Sequence, residues 1–178
     1  MKRYIALLRG INVGGKRKIL MADLKKLLGN LGFTDSTTYI QSGNVAFNAD
    51  ELGEYGLLGS KIEQAILKEY GFEVPVIIST ADELKEAIAN NPFLKNKAPD
   101  IERLHLTFLN ALPTKEKLET IRSYDYSPDQ FEIIGKHVFV YCSGKYSDSK
   151  LSNAFFEQKL NVAASTRNWK TVLVLSTL

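Results

Sequence analysis

TTYIQSGNVAF, residues 37–47, is the stretch that decides the fold. Two β-prone runs flank Ser42-Gly43, a dipeptide suited to a tight turn, so 37–41 and 44–48 read as a β-hairpin. A two-residue turn sets Gln41 opposite Asn44 and Ile40 opposite Val45. Alternation then places Ile40, Val45 and Phe47 on one face, with Tyr39, Gln41 and Asn44 on the other.

Upstream, residues 4–8 are a continuous apolar run that suits a central strand. Met21, Leu24, Leu27, Leu28 and Leu31 recur at helical spacing, and Gly32 stops the helix. Downstream, Leu58, Ile62, Ala65, Ile66 and Tyr70 mark a second helix ending at Gly71. A strand follows over 74–78, where Pro75 implies a late start or an edge position. The order is βαββαβ, the split βαβ unit of ferredoxin-like folds.

Thr80 and Glu83 then form a capping box, and Leu84, Ala87 and Ile88 give the next helix its apolar stripe before Asn91-Pro92 ends it. The pattern restarts with a strand over 104–109. A short helix over 114–123 rests on Leu118 and Ile121. A hairpin over 131–134 and 137–142 turns at Gly135-Lys136, and a helix over 149–160 carries Leu151, Phe155, Phe156 and Leu160. For 168–178, Val172 and Val174 favour a strand, while Trp169, Val172 and Leu173 share a helical face; the reading leans to helix. The expected fold class is α+β, a tandem ferredoxin-like (βαββαβ) repeat in two closely packed halves. Its parts are a first half over 1–79, a connecting helix and loop over 80–103, and a second βαββα half over 104–178. The repeat rests on element order, not on residue identity.

The 178 residues hold 23 basic and 20 acidic side chains, net +3. Residues 9–18 (RGINVGGKRK) alone carry Arg9, Lys16, Arg17 and Lys18 without an acid. That segment exceeds the charge of the whole chain, so the positive potential is local. No apolar run reaches the roughly 18–20 residues of a bilayer span, and residues 1–8 read as the start of a strand, with no apolar h-region or cleavage site. A cytoplasmic location and no membrane partner are expected. The single Cys142, on a strand after Val138 and Val140, reads as a small core hydrophobe that can form neither an internal disulfide nor a cysteine metal cluster.

Three segments can carry chemistry. In the first, Gly10-x4-Gly15-Lys16 has a P-loop's spacing, but Arg17 stands where Ser or Thr would hold Mg²⁺. The NTPase reading therefore fails, leaving either an anion site of glycine N–H groups and cations or a plain flexible connector. In the second, Tyr39, Gln41, Ser42 and Asn44 offer hydrogen bonds and a ring to a flat ligand, or simply close a turn. In the third, Arg167 can grip a carboxylate or phosphate and Trp169 can stack or pack, while Asn168 suits a helix N-cap. His105 and His137 lie among apolar residues without adjacent carboxylates and read as structural. No zinc spacing or Gly-x-Ser-x-Gly elbow exists.

ALLRGINVGGK (6–16), TYIQSGNVAF (38–47) and TRNWKT (166–171) resemble the bacterial domain-of-unknown-function family 1697. The resemblance spans nearly the whole chain and implies a tandem ferredoxin-like α/β architecture, but no activity. The stretch 143–152 matches less closely, which leaves Lys145 and Ser149 outside the candidate site. The candidate ligand-binding set is Arg9, Asn12, Gly14, Gly15, Lys16, Tyr39, Gln41, Ser42, Asn44, Arg167, Asn168 and Trp169. The favoured ligand is a nucleotide, another phosphate-containing small molecule or a short single-stranded nucleic acid, with no metal or cofactor expected. The alternatives are an enzyme acting on a small phosphorylated or carboxylated metabolite, and a structural or protein-interaction role. None of the three segments contains Asp or Glu, so the reading leans away from an enzyme.

Overall fold

Strand β1 (Lys2–Leu8) forms a four-stranded antiparallel sheet with β2 (Thr34–Tyr39), β3 (Asn44–Ala49) and β4 (Val76–Ser79), in the order β2-β3-β1-β4. The computed structural model describes residues 1–50, 55–95 and 99–178, so part of the connecting loop expected within 80–103 lies outside the described residues. β1 pairs with β3 (Asn44–Ala49) from Lys2↔Ala49 to Leu7↔Asn44, and with β4 (Val76–Ser79) from Ile5↔Ser79 to Leu8↔Val76. β2 (Thr34–Tyr39) closes the far edge against β3. β4 starts just after Pro75, which has no N–H for the ladder.

Helices α1 (Met21–Asn30) and α2 (Tyr55–Tyr70) bury their apolar stripes with one face of this sheet. Leu24, Leu28, Leu58, Ile62 and Ile66 join Tyr4, Ala6, Leu8, Val45, Phe47, Val76 and Ile78 in one core. Each fully buried large side chain adds roughly 1.5–3 kcal/mol. Phe33 stacks on Phe47 at 4.6 Å, and Tyr4 meets Tyr55 edge-on at 5.8 Å. A Cβ at Gly59 would stand 2.9 Å from the Val76 carbonyl, so α2 crosses β4 at backbone distance.

The capping box opens α3 (Ala81–Ala89): Thr80 N–H donates to Glu83 Oε2 at 3.1 Å and Glu83 N–H donates to Thr80 Oγ1 at 3.3 Å. Asn91 then takes the Phe93 N–H at 2.9 Å and starts a short 3-10 turn, Pro92–Leu94.

The second sheet repeats the order of the first, β6-β7-β5-β8. Its strands are β5 (Leu104–Leu109), β6 (Gln130–Ile134), β7 (His137–Tyr141) and β8 (Ala164–Asn168). Helices α4 (Lys115–Arg122) and α5 (Asn153–Leu160) share its core, which includes Ile121, Val138, Val140, Cys142, Phe156 and Leu160. α6 (Trp169–Leu175) follows β8 as α3 follows β4. Helix was the favoured reading of the tail, and helix it is.

Two expectations need correction. The second half is a full βαββαβ, because 164–168 forms a strand beside β5. Helix α5 begins at Asn153, not 149: Ser149 is extended and Ser152 caps the helix by accepting the Phe155 N–H at 3.2 Å. Both halves are therefore ferredoxin-like. Contacts group the chain into Met1–Leu84 with Leu175–Leu178, and Lys85–Val174. Among the described residues no helix is long and apolar enough to cross a membrane.

Candidate functional site

β1 ends where the Arg9 N–H donates to the Pro75 carbonyl at 2.9 Å. The following loop is a second, smaller hairpin. Asn12 N–H donates to the Arg17 carbonyl at 3.2 Å, and Lys16 N–H donates to the Val13 carbonyl at 3.1 Å. Gly14 and Gly15 form its tip at φ +58° and +73°. A two-residue turn with both central φ values positive is the type I′ geometry that Gly-Gly adopts without strain. The segment is thus an ordered hairpin.

Asn12 anchors it. Its Nδ2 donates to the Ile19 carbonyl at 3.0 Å and to the Gln41 carbonyl at 2.9 Å, while its Oδ1 accepts the Ile19 N–H at 2.9 Å. One carboxamide thereby joins the basic hairpin, the approach to α1 and the turn after β2. Aspartate has the shape but lacks the two donors. Asn12 also tolerates its φ of +56° better than most residues.

The turn after β2 differs from the sequence reading. Tyr39, not Gln41, pairs with Asn44, and Thr38 pairs with Val45. The turn therefore has four residues, 40–43. Two interactions select it. Asn44 Nδ2 donates to the Tyr39 carbonyl at 3.1 Å and to Ser42 Oγ at 3.0 Å. Gly43, at φ +84°, offers its carbonyl to the Leu8 N–H at 2.8 Å. Gln41 consequently sits exposed in the turn. Ile40 is 49% exposed at φ +48°, away from the buried face of Val45 and Phe47. Asn44 is fully buried, with its amide closing the turn, and Tyr39 is half-buried.

Around this framework Lys16, Arg17 and Lys18 are exposed. The Arg17 Nη1 lies over Gly10, 3.4 Å from where a Cβ would stand. Among the described residues, none of these three side chains makes a hydrogen bond or ion pair. The first two sequence segments thus meet through Asn12 and Gln41.

A family model described as "Protein of unknown function (DUF1697)" matches residues 1–139, which contain both segments. The chain belongs to this family. Among solved structures it is similar to a conserved bacterial protein, SP0830, from Streptococcus pneumoniae. That match has 25% identity and a TM-score of 0.75, covering 98% of this chain and 97% of the other. No curated protein matches the chain.

The third segment of this DUF1697 chain belongs to the second unit, beyond the residues the family model matches. Arg167, on β8 opposite Leu106, is only 8% exposed. Its Nη1 donates to Ser165 Oγ at 2.8 Å and to the Thr166 carbonyl at 2.9 Å. Burial pushes its pKa down to about 10. Asn168 caps α6 by accepting the Thr171 N–H at 2.8 Å. Trp169 is 2% exposed, a core position with no open ring face for stacking.

The sequence reading did not find the polar cluster around Asp129. The Ser143 N–H, Ser143 hydroxyl and Ser149 hydroxyl donate to its carboxylate at 2.8, 2.9 and 2.6 Å. Burial acts to raise this carboxyl, but the three donors hold it below the usual range. This cluster explains the extended Ser149. Burial also pushes the Cys142 thiol up, in keeping with an inert core residue. His105 stacks on Tyr146 at 4.4 Å, and its Nδ1 lies 3.3 Å from the Arg103 carbonyl, which accepts a hydrogen bond when that nitrogen carries a proton. Among the described residues no three His, Cys, Asp or Glu side chains gather to hold a metal ion.

Proposed function

We propose that the chain binds a phosphate-bearing anion, either a nucleotide-like small molecule or a short single-stranded nucleic acid, through the hairpin surface of residues 12–18. The observation that supports it is the run Lys16-Arg17-Lys18, exposed and without a protein partner among the described residues. Cations that neutralise no carboxylate of their own are available to an external anion. The Gly14-Gly15 tip adds backbone N–H groups where no side chain blocks approach; a Cβ at either glycine would meet nothing within 4 Å. Gln41 and Ser42, tied to the hairpin through Asn12, add polar groups at its flank.

The cations are exposed, so the attraction is screened and falls with salt. Residues 9–18 and 39–45 contain no Asp, Glu or His, which favours binding over acid–base catalysis.

A thermal-shift panel of nucleoside triphosphates, sugar phosphates and short oligonucleotides tests the reading. A ligand at about 100 times its Kd adds about 2.7 kcal/mol, or roughly 5–10 °C in Tm for a chain this long. The shift is expected in the native chain and absent in the Lys16→Glu, Arg17→Glu, Lys18→Glu triple variant. No shift across the panel, or the same shift in the variant, contradicts it.

A further inference from the structure

We infer that the hairpin surface docks on an anionic lipid bilayer, the headgroup phosphates being the anions that Lys16, Arg17 and Lys18 meet. This rests on the anion-binding reading above and names its partner. Its starting point is three aliphatic side chains left in water: Val13 at 64%, Leu20 at 69% and Ile40 at 49% exposure. Scattered exposed aliphatics are ordinary, but these are not scattered. Val13 follows Asn12, Leu20 follows Ile19 and Ile40 precedes Gln41, and the Asn12 carboxamide hydrogen-bonds to both Ile19 and Gln41. One side chain therefore holds together the three backbone segments that carry these aliphatic residues, one of them running directly into the unpaired cations. Neither contributing segment, residues 9–20 or 39–45, contains an acidic residue.

Ile40 supplies a separate argument. A β-branched residue at φ +48° is conformationally costly, and a half-exposed side chain recovers little of that cost by burial. Strain kept where packing does not repay it points to use at a contact.

The chemistry favours lipid over nucleic acid. Single strands stack their bases on exposed aromatic rings, whereas the one ring in these two segments, Tyr39, is half-buried. Exposed aliphatic side chains gain by entering the boundary between headgroups and acyl chains, while neighbouring Lys and Arg take the phosphates. The expectation of no membrane partner rested on the missing apolar span, and a surface contact needs none.

Vesicle co-sedimentation of the full chain tests this, using phosphatidylcholine alone and phosphatidylcholine mixed equally with phosphatidylglycerol. The chain is expected to pellet with the anionic vesicles only, and less as salt rises. Combining Val13→Ser, Leu20→Ser and Ile40→Ser should weaken vesicle binding by about tenfold or more and leave Tm no lower. Leu20→Trp provides a second readout, its emission shifting to the blue on anionic vesicles alone. Equal pelleting with both lipids, no pelleting, an unaffected serine variant or an unshifted Leu20→Trp each overturns the inference. A labelled oligonucleotide run in parallel separates the two failures. If it binds while vesicles do not, the bilayer falls and anion binding stands; if neither binds, both fall.

Discussion

The Asn12 Nδ2 donates to the Gln41 carbonyl at 2.9 Å, across 29 residues of sequence. This bond and its two companions to Ile19 hold the basic hairpin against the turn after β2. Asn12→Ala removes all three and places alanine in the left-handed region, for an expected loss of about 2–4 kcal/mol. Asn12→Gly loses the same bonds without the backbone strain and should cost less. Urea denaturation of the two variants separates side-chain from backbone contributions.

Gly43 and Gly14 both have positive φ but stand in different surroundings. A Cβ at Gly43 would lie 2.7 Å from Leu8 Cβ and 3.0 Å from Ile11 Cδ1, whereas one at Gly14 would meet nothing within 4 Å. Gly43→Ala should therefore cost about 2–4 kcal/mol, strain plus overpacking. Gly14→Ala should cost only about 1–2 kcal/mol, the conformational part alone. Equal Tm losses in the two variants would show that the packing difference is not felt.

Ile40→Asn gives a residue that accepts φ +48° more readily. Stability should rise by about 0.5–1 kcal/mol, while binding to anionic vesicles falls. A variant that is less stable, or equally good on vesicles, would remove the strain argument.

Hairpins and helices were legible because their signals are local. The apolar run over 4–8, the helical spacing from Met21 to Leu31 and the Thr80/Glu83 box each act within a few residues. β8 was not legible: Ala164, Ser165, Thr166 and Arg167 show no apolar alternation, and their strand character comes from pairing with β5, about 60 residues away. The register after β2 was misread for a similar reason. Ser42-Gly43 suits a two-residue turn, but the Gly43 carbonyl answers the Leu8 N–H, a contact no local pattern reveals. In the site, the cations were visible as composition. The role of Asn12 was not, because its partners Ile19 and Gln41 are defined only by the fold.

Stability should also fall in acid through His105. Burial lowers its pKa below the usual 6.5, with the Arg103 carbonyl acting weakly the other way. In the window from about 6.5 down to that depressed value the unfolded chain binds more protons, so stability drops as pH falls. His105→Phe keeps a ring against Tyr146 and should flatten the pH dependence of Tm in that window. Asp129, whose pKa is also lowered, acts in the same direction in a more acid window: its stabilisation is intact above about 3.8 and is lost only as pH falls further.

The most direct test of the central claim is a salt titration of binding to a short, labelled single-stranded oligonucleotide by fluorescence anisotropy. Three phosphate contacts by Lys16, Arg17 and Lys18 predict a slope of log affinity against log salt of about −2. Lys16→Glu, Arg17→Glu, Lys18→Glu should abolish the binding. An absence of binding at low salt to the oligonucleotide and to anionic vesicles alike, or a slope and affinity unchanged in the triple variant, would contradict an anion site on this hairpin.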